Sequence, residues 1–242
     1  MSSNWHRSPR VVKQCALGVA FALSVALCVG GEIAAQTPSA SAQKEAREEI
    51  GEAVEAFNGI MTSPDHAIPS AVLERAVGIG VFAKVVQAAF IAGGRGGDGV
   101  ITAQSRDGVR TVPAFFRLGG ASVGLQIGGS RTDIIFVFTT QRALDALLDD
   151  RLEFGTEVKA VAGPNAAELP KAAATTKDAG ILIYSRDRGL FAGVAMEGAV
   201  IRPHNDLNRA LYGATAEEIL RGHGPKDAPA IVRPFLDALQ KP

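Results

Sequence analysis

Cysteine is nearly absent. The 242-residue chain has two, Cys15 and Cys28, both in an N-terminal stretch of low charge, so the rest of the sequence has no disulfide framework, thiolate nucleophile or cysteine metal site. Aromatic residues make up only 6%, and there are four histidines. Those beyond residue 35, His66, His204 and His223, stand far apart, and no pair has the spacing of a preformed ligand set, so no metal and no cofactor are assigned. An excess of one charge is missing too. Lys and Arg number 25 against 25 Asp and Glu, which removes the basic field that a general nucleic-acid binder needs for phosphate contacts. What the chain does have is apolar and small: 47% hydrophobic residues and 27 glycines, enough to bury one core.

A run long and apolar enough for a comfortable membrane span is lacking as well. Arg7, Arg10 and Lys13 precede an uncharged, small-residue-rich run over 15–31, which reads as a secretory signal over residues 1–35. Cleavage after Ala35 is preferred, with Ala40-Ser41-Ala42 offering a second small-residue site after Ala42. Leu27 is too large a neighbour for a lipidated Cys28. Signal removal takes three basic residues and Glu32, leaving a slightly acidic, exported chain, periplasmic or secreted.

Residues 36–43 are small and polar without period and read as a flexible leader, followed by a single domain over 44–242. Ala46, Ile50, Val54, Phe57 and Met61 recur at helical spacing among five glutamates, predicting an amphipathic helix over 44–61 with an acidic outer face. Pro69 and Ser70 open a shorter helix. The pattern then turns to strands: 79–86 and 89–92, a glycine-rich connection over 93–99, then 100–104, 112–118, 122–127 and 133–139. Ile134-Ile-Phe-Val-Phe138 is apolar without alternation, as in a strand buried on both faces. A helix over 141–148 interrupts, strands at 158–161, 180–184 and 190–196 follow, and two helices close the chain, one announced by the capping-box pair Thr215 and Glu218. The expected fold is α+β: a mainly antiparallel, glycine-rich sheet, barrel- or sandwich-like, flanked by N- and C-terminal helices.

Two motifs invite chemistry, and their contexts argue against it. Gly94-Arg-Gly-Gly-Asp-Gly99 fits a dinucleotide-binding pattern, but Val100-Ile-Thr-Ala after it is a strand pattern, so no helix N-terminus would face a pyrophosphate. Gly120-Ala-Ser122-Val-Gly124 fits a serine-hydrolase elbow, with Asp133 and His204 in a compatible order, but no helical pattern follows the serine. Arginine supplies the remaining signal. Arg95, Arg106, Arg110 and Arg117 fall in or beside the loops of the first β segment, where clustering on one rim would make an anion-binding surface.

The order Ile68-Pro69, Leu73-x-x-Ala76-x-Gly78-Ile79, Gly93-Gly-Arg-Gly-Gly-Asp-Gly-Val100, Pro113, Gly119-Gly-Ala-Ser-Val-Gly-Leu-Gln-Ile-Gly128, Thr132-Asp133, Gly163-Pro164, Tyr184-Ser-Arg and Glu197-Gly198 resembles the SYLF domain family over about residues 45–215. The resemblance implies a lipid-binding domain without catalytic residues. Eukaryotic members bind phosphoinositides and other phospholipids, and fungal ones also bind and bundle actin. An exported chain would meet no actin, so the activity expected here is association with a phospholipid or membrane surface, with Arg95, Arg106, Arg110 and Arg117 as headgroup contacts. A structural or protein-interaction module of the bacterial cell envelope is the second expectation, and a serine hydrolase using Ser122 the third. The acidic leading helix, where the eukaryotic proteins carry a basic segment, points to a contact elsewhere or to a lipid that is not strongly anionic.

Overall fold

Alternating and continuous apolar runs beginning at Gly78 generate an eight-stranded sheet in the computed structural model, which describes residues 38–63, 65, 67–89, 93–105, 107–122, 128–148, 151–154, 158–176, 178–186, 196 and 198–240. The strands are β1 (Gly78–Ala89), β2 (Gly93–Ala103), β3 (Ala114–Ser122), β4 (Gly128–Phe138), β5 (Leu152–Glu153), β6 (Ala160–Ala162), β7 (Ile181–Ser185) and β8 (Ala199–Pro203). Their order is β5-β8-β3-β2-β1-β4-β7-β6, antiparallel except for β6 beside β7, and the sheet curls into a half-barrel. The described helices are α1 (Ala40–Met61), α2 (Ser70–Glu74), α3 (Gln141–Leu148), α4 (Leu169–Thr176), α5 (Asn205–Tyr212), α6 (Ala216–Glu218) and α7 (Arg233–Leu239), giving the expected α+β class. Among the described residues no helix is long and apolar enough to cross a membrane.

The period of two sorts side chains onto two faces. Ile79, Val81, Val100, Phe115, Ile135 and Val137 turn toward a layer that includes the buried residues of α1, Leu207 of α5 and Phe235 of α7. Phe82, Val85, Ile101, Phe116, Leu118, Ile134 and Phe136 turn the other way, onto α3 and the segment around Ile219. Both faces of β4 are therefore covered, which is why Ile134 to Phe138 are all 0% exposed and why that run needs no polar alternation. Phe136 packs edge-on to Phe82 at 5.5 Å between ring centroids and stacks on Phe154 at 5.2 Å.

Helix α1 covers one face through Ala42, Ala46, Ile50, Ala53, Ala56, Phe57 and Ile60, a mostly alanine stripe that lets its backbone lie close to the sheet. It begins four residues before the expected start: Ser39 accepts a hydrogen bond from the Ala42 N–H at 3.2 Å, and Ala42 is buried. Residues 40–43 are thus the first turn of a capped helix rather than part of a flexible leader, because a serine cap and small helix-tolerant residues substitute for the missing apolar period.

The largest departure from expectation is at the glycines. Residues 93–99 do not connect two strands; they are the first half of β2, in register with β1 and β3. Likewise β3 continues through Gly119-Gly120 to Ser122, and β4 starts at Gly128 rather than near Asp133. Glycine's poor strand propensity suggests a loop, and pairing on both sides overrides it. Of the strand expected over 190–196, residues 190–195 lie outside the described residues and Met196 is in a helical turn, while 199–203 form β8. Helix α5 is unanticipated, its His204-Asn-Asp-Leu-Asn208 start having the composition of a turn. The Thr215–Glu218 capping box forms as read, each residue bonding the other's backbone N–H.

Candidate binding sites beside the first helix

Of the four arginines expected to form a rim, the three described ones, Arg95, Arg110 and Arg117, are not brought together. Arg95 lies on the α3 side of β2, where its Nη1 donates to Met196 Sδ at 3.5 Å. Arg117 projects toward α1 and is held by carboxylates, Nε 3.4 Å from Asp98 and Nη2 3.8 Å from Glu45. Arg110 pairs with Gln104 at the far end of the β2–β3 hairpin, about 30 Å of extended chain from Arg95. Burial pushes its pKa down, and its Nη1 has no hydrogen-bond partner. Arg106 lies outside the described residues. Strand alternation separates Arg95 from Arg117, and strand length separates both from Arg110.

A different cation cluster does assemble. β1 carries a bulge: Phe82 pairs with Ile134 and Val85 with Thr132, so two residues of β1 face one of β4. Within it Lys84 has φ +51°, a left-handed conformation costing a lysine about 1–2 kcal/mol. Asp133 holds the bulge by accepting the Lys84 backbone N–H at 2.9 Å, while Lys84 Nζ donates to Glu52 of α1 at 2.9 Å. The bulge re-aims the lysine into a pocket of about 250 Å³ lined by Glu52, Glu55, Lys84, Arg131, Asp133 and Arg186. Arg186 reaches Asp133 at 3.3 Å and lies where a side chain at Gly59 would be, so that glycine admits it against α1. Among the described residues the Arg131 side chain makes no ion pair or hydrogen bond.

Next to this pocket the described part of the sheet carries little cover. Val86 is 42% exposed and stands opposite Arg131 on β4 and Gly96 on β2, all on the face that α1 covers elsewhere. A side chain added at Gly119 would touch nothing within 4 Å, and one at Gly94 or Gly96 only a backbone oxygen at 3.9 or 3.8 Å. The opposite face of the same strands is crowded: a Cβ at Gly99 would sit 2.5 Å from Phe82, and one at Gly120 2.9 Å from Ala199. Glycine is demanded on one side and leaves the other open.

A second cluster lies under the N-terminal half of α1, where Glu45, Glu49, Asp98, Arg117 and His204 meet. Burial, and then the charges of Asp98 and Glu45, push the Glu49 carboxyl up to about 8. Burial, and then Arg117, push the His204 imidazole below its ordinary value. Sequence reading could not find this group: its members come from α1, β2, β3 and the end of β8, and only the one-turn spacing of Glu45 and Glu49 is visible along the chain.

The motifs that suggested chemistry are dispersed. Gly94 to Gly99 run inside a strand paired on both sides, with no helix behind Gly99. Ser122 is the last residue of β3 and β4 begins at Gly128, while residues 123–127, which include Gly124 of the motif, lie outside the described residues. Asp133 is on β4 and His204 just beyond β8, four strand spacings or about 19 Å apart as measured along the curled sheet. No hydrolase triad forms from Ser122, Asp133 and His204.

Fold and clusters together define a class: a half-closed antiparallel sheet with helical cover, its charged groups gathered along the seam of the leading helix. The family model "Ysc84: Las17-binding protein actin regulator" matches residues 119–242, and the chain belongs to that family, the SYLF family of the sequence reading. LAS seventeen-binding protein 3 of Saccharomyces cerevisiae is 36% identical over 163 residues, 65% of this chain and 35% of that protein. Protein YSC84 of the same yeast is 34% identical over 181 residues, 73% of this chain and 38% of its own length. The human SH3 domain-containing YSC84-like protein 1 is 31% identical over 170 residues, 69% of this chain and 49% of that protein. The chain thus spans about a third to a half of the relatives it matches.

Proposed function

We propose that this chain is an exported, non-enzymatic domain of a bacterial cell envelope that associates with phospholipid surfaces through the bare end of its sheet. The observation that carries this reading is the pairing of exposed Val86 with unpaired Arg131 beside open glycines and a charged pocket. A flat, side-chain-poor face allows close approach, an aliphatic group offers apolar contact, and an uncommitted guanidinium offers a donor fork to phosphate. The pocket matches Lys84, Arg131 and Arg186 with Glu52, Glu55 and Asp133, so it has little net charge and suits a zwitterionic headgroup, phosphate toward Arg131 and amine toward Glu55. Headgroup contact therefore moves from Arg95, Arg106, Arg110 and Arg117 to Arg131, Lys84 and Arg186.

Co-sedimentation of the purified chain with phosphatidylethanolamine–phosphatidylcholine vesicles tests this. Binding at least as strong as to phosphatidylglycerol vesicles is expected, with a loss of roughly tenfold, about 1.4 kcal/mol, in Val86→Asp/Arg131→Glu. No sedimentation with either vesicle would sink the proposal. The relatives' names favour a second reading, a protein-interaction module with lipid incidental; it is distinguished by recovery of a stoichiometric envelope protein after detergent has removed lipid.

A further inference from the structure

The cluster under α1 is used neither by lipid association nor by anything in the relatives' names. Glu45 and Glu49 are one turn apart on α1, so their carboxylates project from one side of the helix. His204 faces them from the end of β8, anchored by its backbone N–H, which donates to the Phe115 carbonyl at 2.9 Å. The imidazole is 7% exposed, its Nδ1 is buried without a hydrogen-bond partner, and its Nε2 stands 3.9 Å from Glu45 Oε1, beyond hydrogen-bond reach. Glu49 Oε2 is likewise buried with no donor. One ligating atom from each of the three lies within 4.8 Å of the other two. A buried polar group left unmatched costs about 1–3 kcal/mol, and a single occupant that takes nitrogen and oxygen donors together relieves the Glu49 oxygen and takes up one imidazole nitrogen.

We propose that Glu45, Glu49 and His204 bind a divalent transition-metal cation of the zinc type. An imidazole beside two carboxylates suits that class, whereas calcium and magnesium prefer all-oxygen shells. Bonds of about 2.0–2.1 Å place tetrahedral donors about 3.4 Å apart. Closing the cluster from 4.8 Å therefore asks for small side-chain rotations, and Glu45, its side chain 47% exposed, is free to make them. Asp98 adds a third carboxylate nearby, and Arg117, which faces the group, already leans on Asp98 and can release Glu45 to an ion. Three protein donors leave a fourth position to water. The ion would staple α1 to the β8–α5 junction, so binding stabilises the fold.

Calorimetric titration of Zn²⁺ into the purified chain, stripped with EDTA and free of lipid, tests the site separately from the vesicle assay. Saturable binding of one equivalent is expected, with a raised unfolding midpoint. Glu45→Gln, at a half-exposed position that leaves the core untouched, is expected to weaken binding by roughly tenfold or more, and Glu45→Gln/His204→Gln to abolish it, while His223→Ala at an exposed turn leaves it unchanged. Absence of saturable binding by Zn²⁺, Co²⁺ or Mn²⁺, or equal Zn²⁺ affinity in the wild type and Glu45→Gln, overturns the proposal.

Discussion

Asn208 shows how much a single polar side chain carries in this fold. It is 0% exposed, and its amide answers both backbone groups of Phe115, Nδ2 donating to the carbonyl at 2.9 Å and Oδ1 accepting the N–H at 2.8 Å. It takes over beside β3 where β8 gives way to α5: the His204 N–H still donates to the Phe115 carbonyl, but the His204 carbonyl accepts the Asn208 N–H at 3.0 Å, so the Phe115 N–H turns to Oδ1. Asn208→Leu keeps the volume but leaves the Phe115 N–H buried and unmatched, so urea unfolding is expected to show a loss of about 1–3 kcal/mol. None of this was legible in the sequence. An asparagine within Asn-Asp-Leu-Asn has the composition of a turn, and its partner lies 93 residues away. The same distance problem hid His204 from Glu45 and Glu49, whereas Thr215 and Glu218, three residues apart, could be read directly because a capping box is a local device.

Among the elements, the glycine-rich strands carry the sharpest test, because their two faces ask for opposite things. Gly99→Ala drives a methyl group into Phe82 and the Val81 carbonyl, and a cost of about 1–3 kcal/mol is expected from overpacking. Gly119→Ala meets open space at a negative or extended φ, and a change near zero or a gain of about 0.4–1 kcal/mol is expected. Thermal unfolding of the two variants side by side checks both; equal destabilisation would contradict the division of faces. Sequence reading recovered β1, β4 and β7 because apolar runs there are long or continuous. It read 93–99 as a loop because glycine carries no side chain from which a period can be read, so pairing becomes visible only once β1 and β3 stand on either side.

For the molecule as a whole, the α+β class with flanking helices followed from the succession of periods, but the strand order did not. β8 lies beside β3 and β7 beside β4 through long-range pairings that no local pattern encodes. The start of α1 bears on export. Processing after Ala35 leaves Ser39 and the whole helix in place, whereas processing after Ala42 removes the cap and the buried Ala42. Under the proposed export, we therefore expect intact-mass measurement of the processed protein to give Gln36 as its first residue. A chain engineered to begin at Gln43 should be less stable by about 1 kcal/mol or more from the lost cap alone.

The outermost strands, β5 and β6, are two and three residues long. An outer strand that brief offers another chain few free amides and carbonyls to zip onto, so at these two borders the sheet resists growing sideways into aggregates even where copies crowd together.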